Sequence, residues 1–250
     1  MTLRAQTVVV RDRRWSAWLH RSADTVTSPH TLPGARVVIP LAGWASLTTT
    51  CATQSSPRAM LLGSHQECVA ACEGPALTVF LDLRSPQAAA FPDEPRILSA
   101  KATRRLQAIA RAGYSTLARD AEPMLRDVVT EFATSPAPRI DARVEQAVQW
   151  LEHHPFAAWS MPALARIVGL STSRLAHLFQ ADLGVDARTL ALYFRSFGAA
   201  ISVAHGATLA GAAAHAGFSD QSHFARAARR FFGKTGRYLS DSRNVQDART

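Results

Sequence analysis

Two clusters of polar side chains, about fifty positions apart, carry groups that hydrogen-bond to base edges and phosphates. The first is Thr172, Ser173, Arg174, His177 and Gln180; the second is Gln221, Ser222, Arg226 and Arg229, with the small Ala225 beside them for methyl contacts. Apolar residues interleave with each at helical spacing: Leu175, Leu178 and Phe179 in the first, Phe224 in the second. A helix that buries the apolar set turns the polar set outward. Gln221 can then bind adenine in bidentate fashion, and Arg226 can bind guanine or a phosphate. The competing role for Arg226 is an ion pair with Asp220. Arg174 can serve a phosphate or simply solvate its helix. His223, beside Phe224, suits packing or a helix end.

The elements that must position these groups repeat. Ala165, Gly169 and Ser171 recur as Ala213, Gly217 and Ser219, each 48 positions later. Leu175, Phe179 and Gly184 recur as Phe224, Ala228 and Gly233, now 49 positions later. A small residue lets two helices cross closely, glycine takes the left-handed turn, and Ser accepts from the free N–H groups of the next helix. This is the grammar of a helix-turn-helix. Ser160 precedes Met161-Pro162 in N-cap fashion, which predicts a supporting helix over 163–168 and an exposed one over 171–182. Residues 187–205 read as one connecting helix, weakened by Gly198, and 209–216 with 220–232 rebuild the pair. Val144, Ala147, Val148 and Leu151 make a helix ahead of them, stopped at His153-His154-Pro155. Two units on one rigid connector suit grooves one DNA turn apart, about 34 Å. The N–H groups near Ser160 and Thr208 are further phosphate donors.

Residues 1–92 read differently. Val8-Val9-Val10, Arg36-Val-Val-Ile39 and Ala59-Met-Leu-Leu62 are short apolar runs between Pro, Gly and Ser, and residues 77–83 alternate as a strand does. Many short strands without helices imply a barrel or sandwich. Beyond Pro92, Leu98, Ala102, Leu106, Ile109, Gly113 and Leu117 form one helical stripe, and Met124, Leu125, Val128, Val129 and Phe132 a second. Two such helices can cover their own domain, pair across a dimer axis, or do both. Ser135-Pro-Ala-Pro138 is a stiff polar break.

The 250 residues carry 28 Lys+Arg against 19 Asp+Glu, a formal charge of +9, and arginine supplies all but Lys101 and Lys234. Residues 1–138 contribute +4 and residues 139–250 +5, so charge alone does not single out DNA from another acidic partner. No apolar run reaches the roughly 20 residues that span a bilayer, and the first residues lack a signal-peptide layout, which predicts a cytoplasmic protein. Cys51, Cys68 and Cys72 are odd in number, which argues against a disulfide scaffold and favours small buried hydrophobes.

The run Ala216-Gly-Phe-Ser-Asp-Gln-Ser-His-Phe224, with Arg226, Phe231, Phe232 and Gly233, resembles the AraC/XylS family of bacterial transcription regulators. So do Leu164-Ala165, Gly169, Ser171, Arg174-Leu175, Leu178-Phe179 and Gly184, and the resemblance spans residues 141–238. It implies a seven-helix domain whose two exposed helices enter successive major grooves. Carried over by position, base reading falls on Ser173, Ala176 and His177, of which His177 is the best equipped. The family usually has Pro at Gly236, an aromatic at Ala228 and a Leu-Leu pair near Ser202-Val203; these departures imply a thinner core in the second unit.

Residues 58–65 and 77–86 resemble, less specifically, strands of the degenerate cupin-like effector domains fused to such modules. Catalytic cupins hold metal with His-x-His and a Glu. No His-x-His occurs here, and His65-Gln-Glu67 offers one imidazole and one carboxylate, so no metal, cofactor or catalysis is expected.

The expected fold class is α+β. A cupin-like β-barrel with two trailing helices (1–134) precedes an all-α domain with two helix-turn-helix units (139–243). The expected protein is a sequence-specific DNA-binding regulator, an activator by family analogy and then a partner of RNA polymerase. Its first half responds to a small-molecule effector, pairs two chains through residues 95–134, or does both. Trp15, Trp18, His30, Trp44 and His65 are the candidate effector residues, although aromatics in a small barrel ordinarily build the core. The alternatives are a thiol or metal sensor using Cys51, Cys68 and Cys72, and a cupin-type enzyme tethered to DNA.

Overall fold

A computed structural model describes residues 6–12, 15–22, 25–85, 88–113, 122–132, 139–234 and 245–247. The stiff break at 135–138, Leu117 and Gly236 lie outside the described residues. In the first half, strands β1 (Gln6–Asp12), β2 (Trp15–Ser22), β3 (Thr25–Val26), β4 (His30–Thr31), β5 (Gly34–Pro40) and β6 (Trp44–Thr48) come first. They are followed by β7 (Thr53–Ser56), β8 (Met60–Leu62), β9 (Glu67–Glu73), β10 (Ala76–Asp82) and β11 (Arg96–Ile97). Two helices close this half, α1 (Ala100–Gly113) and α2 (Glu122–Thr130).

The strands form two sheets, the sandwich form of the architecture the short apolar runs predict. One has the order β11-β8-β5-β10-β2-β1, the other β3-β9-β6-β7 with β4 beside β9. Strand β5 is buried along its whole length because both its faces are covered. Val37 and Ile39 meet Leu106, Ala110, Met124, Val128 and Val129 of α1 and α2. Val38 and its neighbours Met60 and Leu62 face Leu47, Cys68 and Cys72 of the second sheet. The two trailing helices therefore cover their own domain, and Arg105 ties them through an ion pair to Glu131 at 2.9 Å.

The second half is helical: α3 (Ala142–His153), α4 (Met161–Ile167), α5 (Thr172–Leu183), α6 (Ala187–Ala204), α7 (Leu209–His215) and α8 (Gln221–Phe232). These follow the sequence periodicity closely. Ser160, Thr208 and Asp186 cap their helices by accepting from backbone N–H groups three residues on. Gly198 sits mid-helix in α6 because a Cβ there would lie 2.9 Å from the Phe156 ring. One element has no counterpart in the sequence pattern. Strand β12 (Val245–Asp247) returns from the helical half and pairs with β1 in parallel.

Candidate nucleic-acid interface

The first helix-turn-helix is α4 and α5, joined through Gly169 at φ +66. On α5, Leu175, Leu178, Phe179 and Leu183 are buried against Val144, Val148, Leu164 and Val168. Thr172, Ser173, Arg174, Ala176, His177 and Gln180 are all exposed. The N-cap is Ser171, whose hydroxyl accepts from Arg174 N–H at 3.2 Å. Gly184 closes the helix in the left-handed region.

The second unit, α7 and α8, turns through Gly217 at φ +72. Phe224, Ala227, Ala228 and Phe231 face inward. Gln221, Ser222, Arg226 and Arg229 are exposed, and Ala225 is half-buried at the edge of that face. The cap differs from the repeat's expectation. The acceptor is Asp220, not Ser219: its carboxylate takes the His223 N–H at 2.7 Å, while the Ser219 hydroxyl donates to it at 3.2 Å. The extra residue that shifts the repeat from 48 to 49 moves the cap by one position. These bonds hold the Asp220 carboxyl below the usual carboxylate range, with Arg226 a smaller contributor. No ion pair between them lies within 4.0 Å, which leaves the Arg226 guanidinium available to a ligand. His223 packs edge-on to Phe218 with centroids 5.1 Å apart, the packing role expected of it.

Arg230 also belongs to this face and was not among the sequence candidates; it is exposed, with its guanidinium 5.3 Å over Phe231. The signal for it was the Arg229-Arg230 pair in a helix that contains no acidic residue. Arg226, Arg229 and Arg230 make α8 the more cationic of the two outer faces, whereas α5 offers Arg174 alone.

The expected effector residues whose side chains are described differ in exposure and surroundings. Trp44 is 50 % exposed, because the alternation of β6 turns Ala45 and Leu47 inward and Trp44 out. Trp15 and Trp18 lie on β2, and their side chains are outside the described residues. His30 and His65 face the helical half. His30 is buried: its Nδ1–H donates to Ser28 O at 2.9 Å, and its Nε2 accepts from Arg36 Nη1 at 2.8 Å. Burial and the Arg36 charge hold the imidazole down at about 3. The Arg36 guanidinium is itself buried. It also donates to Cys68 Sγ at 2.7 Å and lies 5.8 Å over the Phe80 ring.

Cys68 and Cys72 point into the sandwich and Cys51 is exposed. Among the described residues no three His, Cys, Asp or Glu side chains are placed to hold a metal ion. Burial pushes the Cys68 thiol up, against the pull of Arg36.

Residues 164–238 match the sequence family described as a helix-turn-helix domain. The C-terminal region is an AraC-type helix-turn-helix domain. Six of the helices the resemblance implies lie within the described residues. No curated protein matches the chain. Among solved structures, ToxT from Vibrio cholerae is 13% identical with a TM-score of 0.59, covering 91% of this chain and 98% of that one. ToxT bound to an unsaturated fatty acid matches at 11% identity and a TM-score of 0.54, covering 91% and 95%. A probable AraC family transcriptional regulator from Rhodopseudomonas palustris is 25% identical over 41% of this chain and 99% of its own, with a TM-score of 0.39. The ToxT likeness extends to both halves and establishes a shared fold: a largely antiparallel β-sandwich with a helical domain that holds two helix-turn-helix units.

Proposed function

We propose that this protein is a transcription regulator that reads DNA through α5 and α8, with a first half that responds to a small-molecule effector. The observation that carries the reading is the division of both helices: the leucines and phenylalanines are buried or partly buried in the core, and the outward faces offer hydroxyl, amide, imidazole and guanidinium groups. His177 and Gln180 on α5, and Gln221, Arg226 and Arg229 on α8, are the proposed contacts, with Thr172, Ser173, Arg174, Ser222 and Ala225 flanking them. Activation, through RNA polymerase, follows the family habit. A second chain pairs through the outer faces of α1 and α2, where Arg104 and Arg105 stay exposed. Support for the effector comes from the ToxT structure solved with an unsaturated fatty acid. No helix is long and apolar enough to cross a membrane among the described residues. That fits a cytoplasmic regulator.

The test is binding of full-length protein to the DNA upstream of its own gene by fluorescence anisotropy across a salt series. Specific binding that weakens steeply with salt, and loses discrimination in His177→Ala and Arg226→Ala, supports the reading. Equal affinity for unrelated duplexes, persisting on a randomised pool, rejects it.

A further inference from the structure

The two αL glycines that end the reading helices occupy the same place in the repeat, 49 positions apart, and each abuts a histidine from the β-sandwich. At the end of α5, His65 Nε2–H donates to the Leu183 carbonyl at 2.8 Å, and a Cβ on Gly184 would rest 3.5 Å from that imidazole. At the end of α8, the Ser28 N–H donates to the Gly233 carbonyl at 3.0 Å. A Cβ on Gly233 would stand 2.6 Å from His30 Nδ1 and 2.8 Å from Ser28 O. The last carbonyls of a helix have no partner within it, so these donors satisfy groups that water would otherwise take.

A backbone hydrogen bond links the two contacts. The His65 N–H donates to the Leu32 carbonyl at 3.0 Å, and Leu32 is four residues beyond Ser28. The stretch from Ser28 to Leu32 is rigid at each point. Arg36 and Ser28 fix both nitrogens of His30, β4 pairs with β9, and the Leu32 side chain is buried in the same core as Val144, Leu175 and Phe179. His65 is held at φ +64, in the left-handed region that few residues other than glycine occupy.

The AraC-type domain has a joint on either side of its connector: residues 184–186 between α5 and α6, and residues 205–208 between α6 and α7. Phe231 of α8 packs on Tyr193 of the connector, in the core that α5 shares, and the sandwich adds a further member that touches the ends of both reading helices. We propose that residues 28–32 and His65 are positioning residues for DNA reading, a brace from the β-sandwich that sets the spacing at which α5 and α8 engage their grooves. This rests on the DNA-reading function proposed above.

The experiment uses the full chain and a duplex it selects from a random-sequence pool, together with derivatives carrying one base pair inserted or deleted between the segments that the two helices protect. The brace makes the wild-type protein strict: one inserted base pair costs it the contacts of one helix, roughly tenfold in affinity. His65→Gly removes the imidazole at a position whose backbone already favours glycine. Its insertion penalty is expected to fall to about threefold or less, with its melting transition retained. Gly233→Ala drives a methyl into His30 and Ser28 and is expected to relax the spacing in the same way. Should one variant fail to fold, the other carries the test. A folded variant with the full wild-type penalty overturns the brace. Absence of any selected duplex for the wild-type chain overturns the DNA-reading function beneath it, a different result from the first.

Discussion

The two helix-turn-helix units share a backbone plan and differ in what fills it. In the first, Leu164, Val168, Leu175, Leu178, Phe179 and Leu183 pack with Val144, Val148 and Leu151, and Leu32 of the sandwich joins them. In the second, Ala199, Ala200, Ala212, Ala213, Ala216, Ala227 and Ala228 do most of the filling, around Phe218 and Phe224. Part of α8 even contributes outward: Phe231 packs edge-on to Tyr193, centroids 5.6 Å apart, within the larger core. Burial of branched and aromatic side chains scales with apolar area, so the first unit has more of its own stability than the second. The second carries more positive charge on its outer face, while the sandwich holds the ends of both reading helices. One unit is a packed anchor; the other is a charged, lightly cored partner.

The largest expected effect that tests this contrast is Phe179→Ala, which should cost about 3–5 kcal/mol by urea denaturation. Ala228→Gly, at the repeat-equivalent position, should cost only about 1 kcal/mol. Similar losses at both positions would erase the asymmetry.

Arg226→Ala should weaken specific DNA binding by about 1–3 kcal/mol if it reads guanine. If it holds a phosphate instead, binding to all duplexes should fall evenly, and the salt slope should drop by about 0.9. His177→Ala tests the same point on the anchor unit, and discrimination lost only there would confine base reading to α5.

The pH dependence tests the sandwich's contact with the end of α8 through His30. Its folded imidazole titrates at about 3 and an unfolded one near 6.5. Below pH 6.5 the unfolded chain therefore binds a proton that the folded chain refuses. Stability should be complete above pH 6.5 and fall by about 1.4 kcal/mol per pH unit towards pH 3. His30→Gln should flatten that slope in a urea titration repeated at several pH values; an unchanged slope would place the titrating group elsewhere. The smallest effect is at the caps, where Ser171→Ala and Asp220→Ala should each cost about 1 kcal/mol. A Ser219→Ala loss as large as that of Asp220→Ala would return the cap to the position the repeat predicts.

The readable parts of the sequence were those governed by local period. Leu175, Leu178, Phe179 and Phe224 recur at helical spacing, so the outward sets on α5 and α8 followed by elimination, and the turn glycines marked the joints. The cap at Asp220 was missed because a one-residue insertion sits where the repeat has no apolar landmark. Trp44 is an effector candidate by side-chain type, and only the inward register of Ala45 and Leu47 shows that it turns outward. Arg36 stood in a run of apolar strand residues with nothing local to announce a buried charge; its partners His30 and Cys68 are 6 and 32 positions away. The seam between the halves is illegible for the same reason. His65 and Leu183 are 118 residues apart, and Arg84 reaches Glu145 and Glu152 over 61 and 68.

Strand β12 carries a consequence for how the reading domain can move. The helical half leaves the sandwich after α2 and comes back to it at residues 245–247, alongside β1. It is therefore an insertion between two strands of one sheet, tethered at both ends. A domain hung from a single linker explores a sphere once its seam opens; one tied at two points, were the contacts of His65, Ser28 and Arg84 to break, could only swing about the line between them. Clipping the chain within residues 235–244 should free that second attachment while leaving the covalent path through residues 133–138 intact, turning a hinge into a leash.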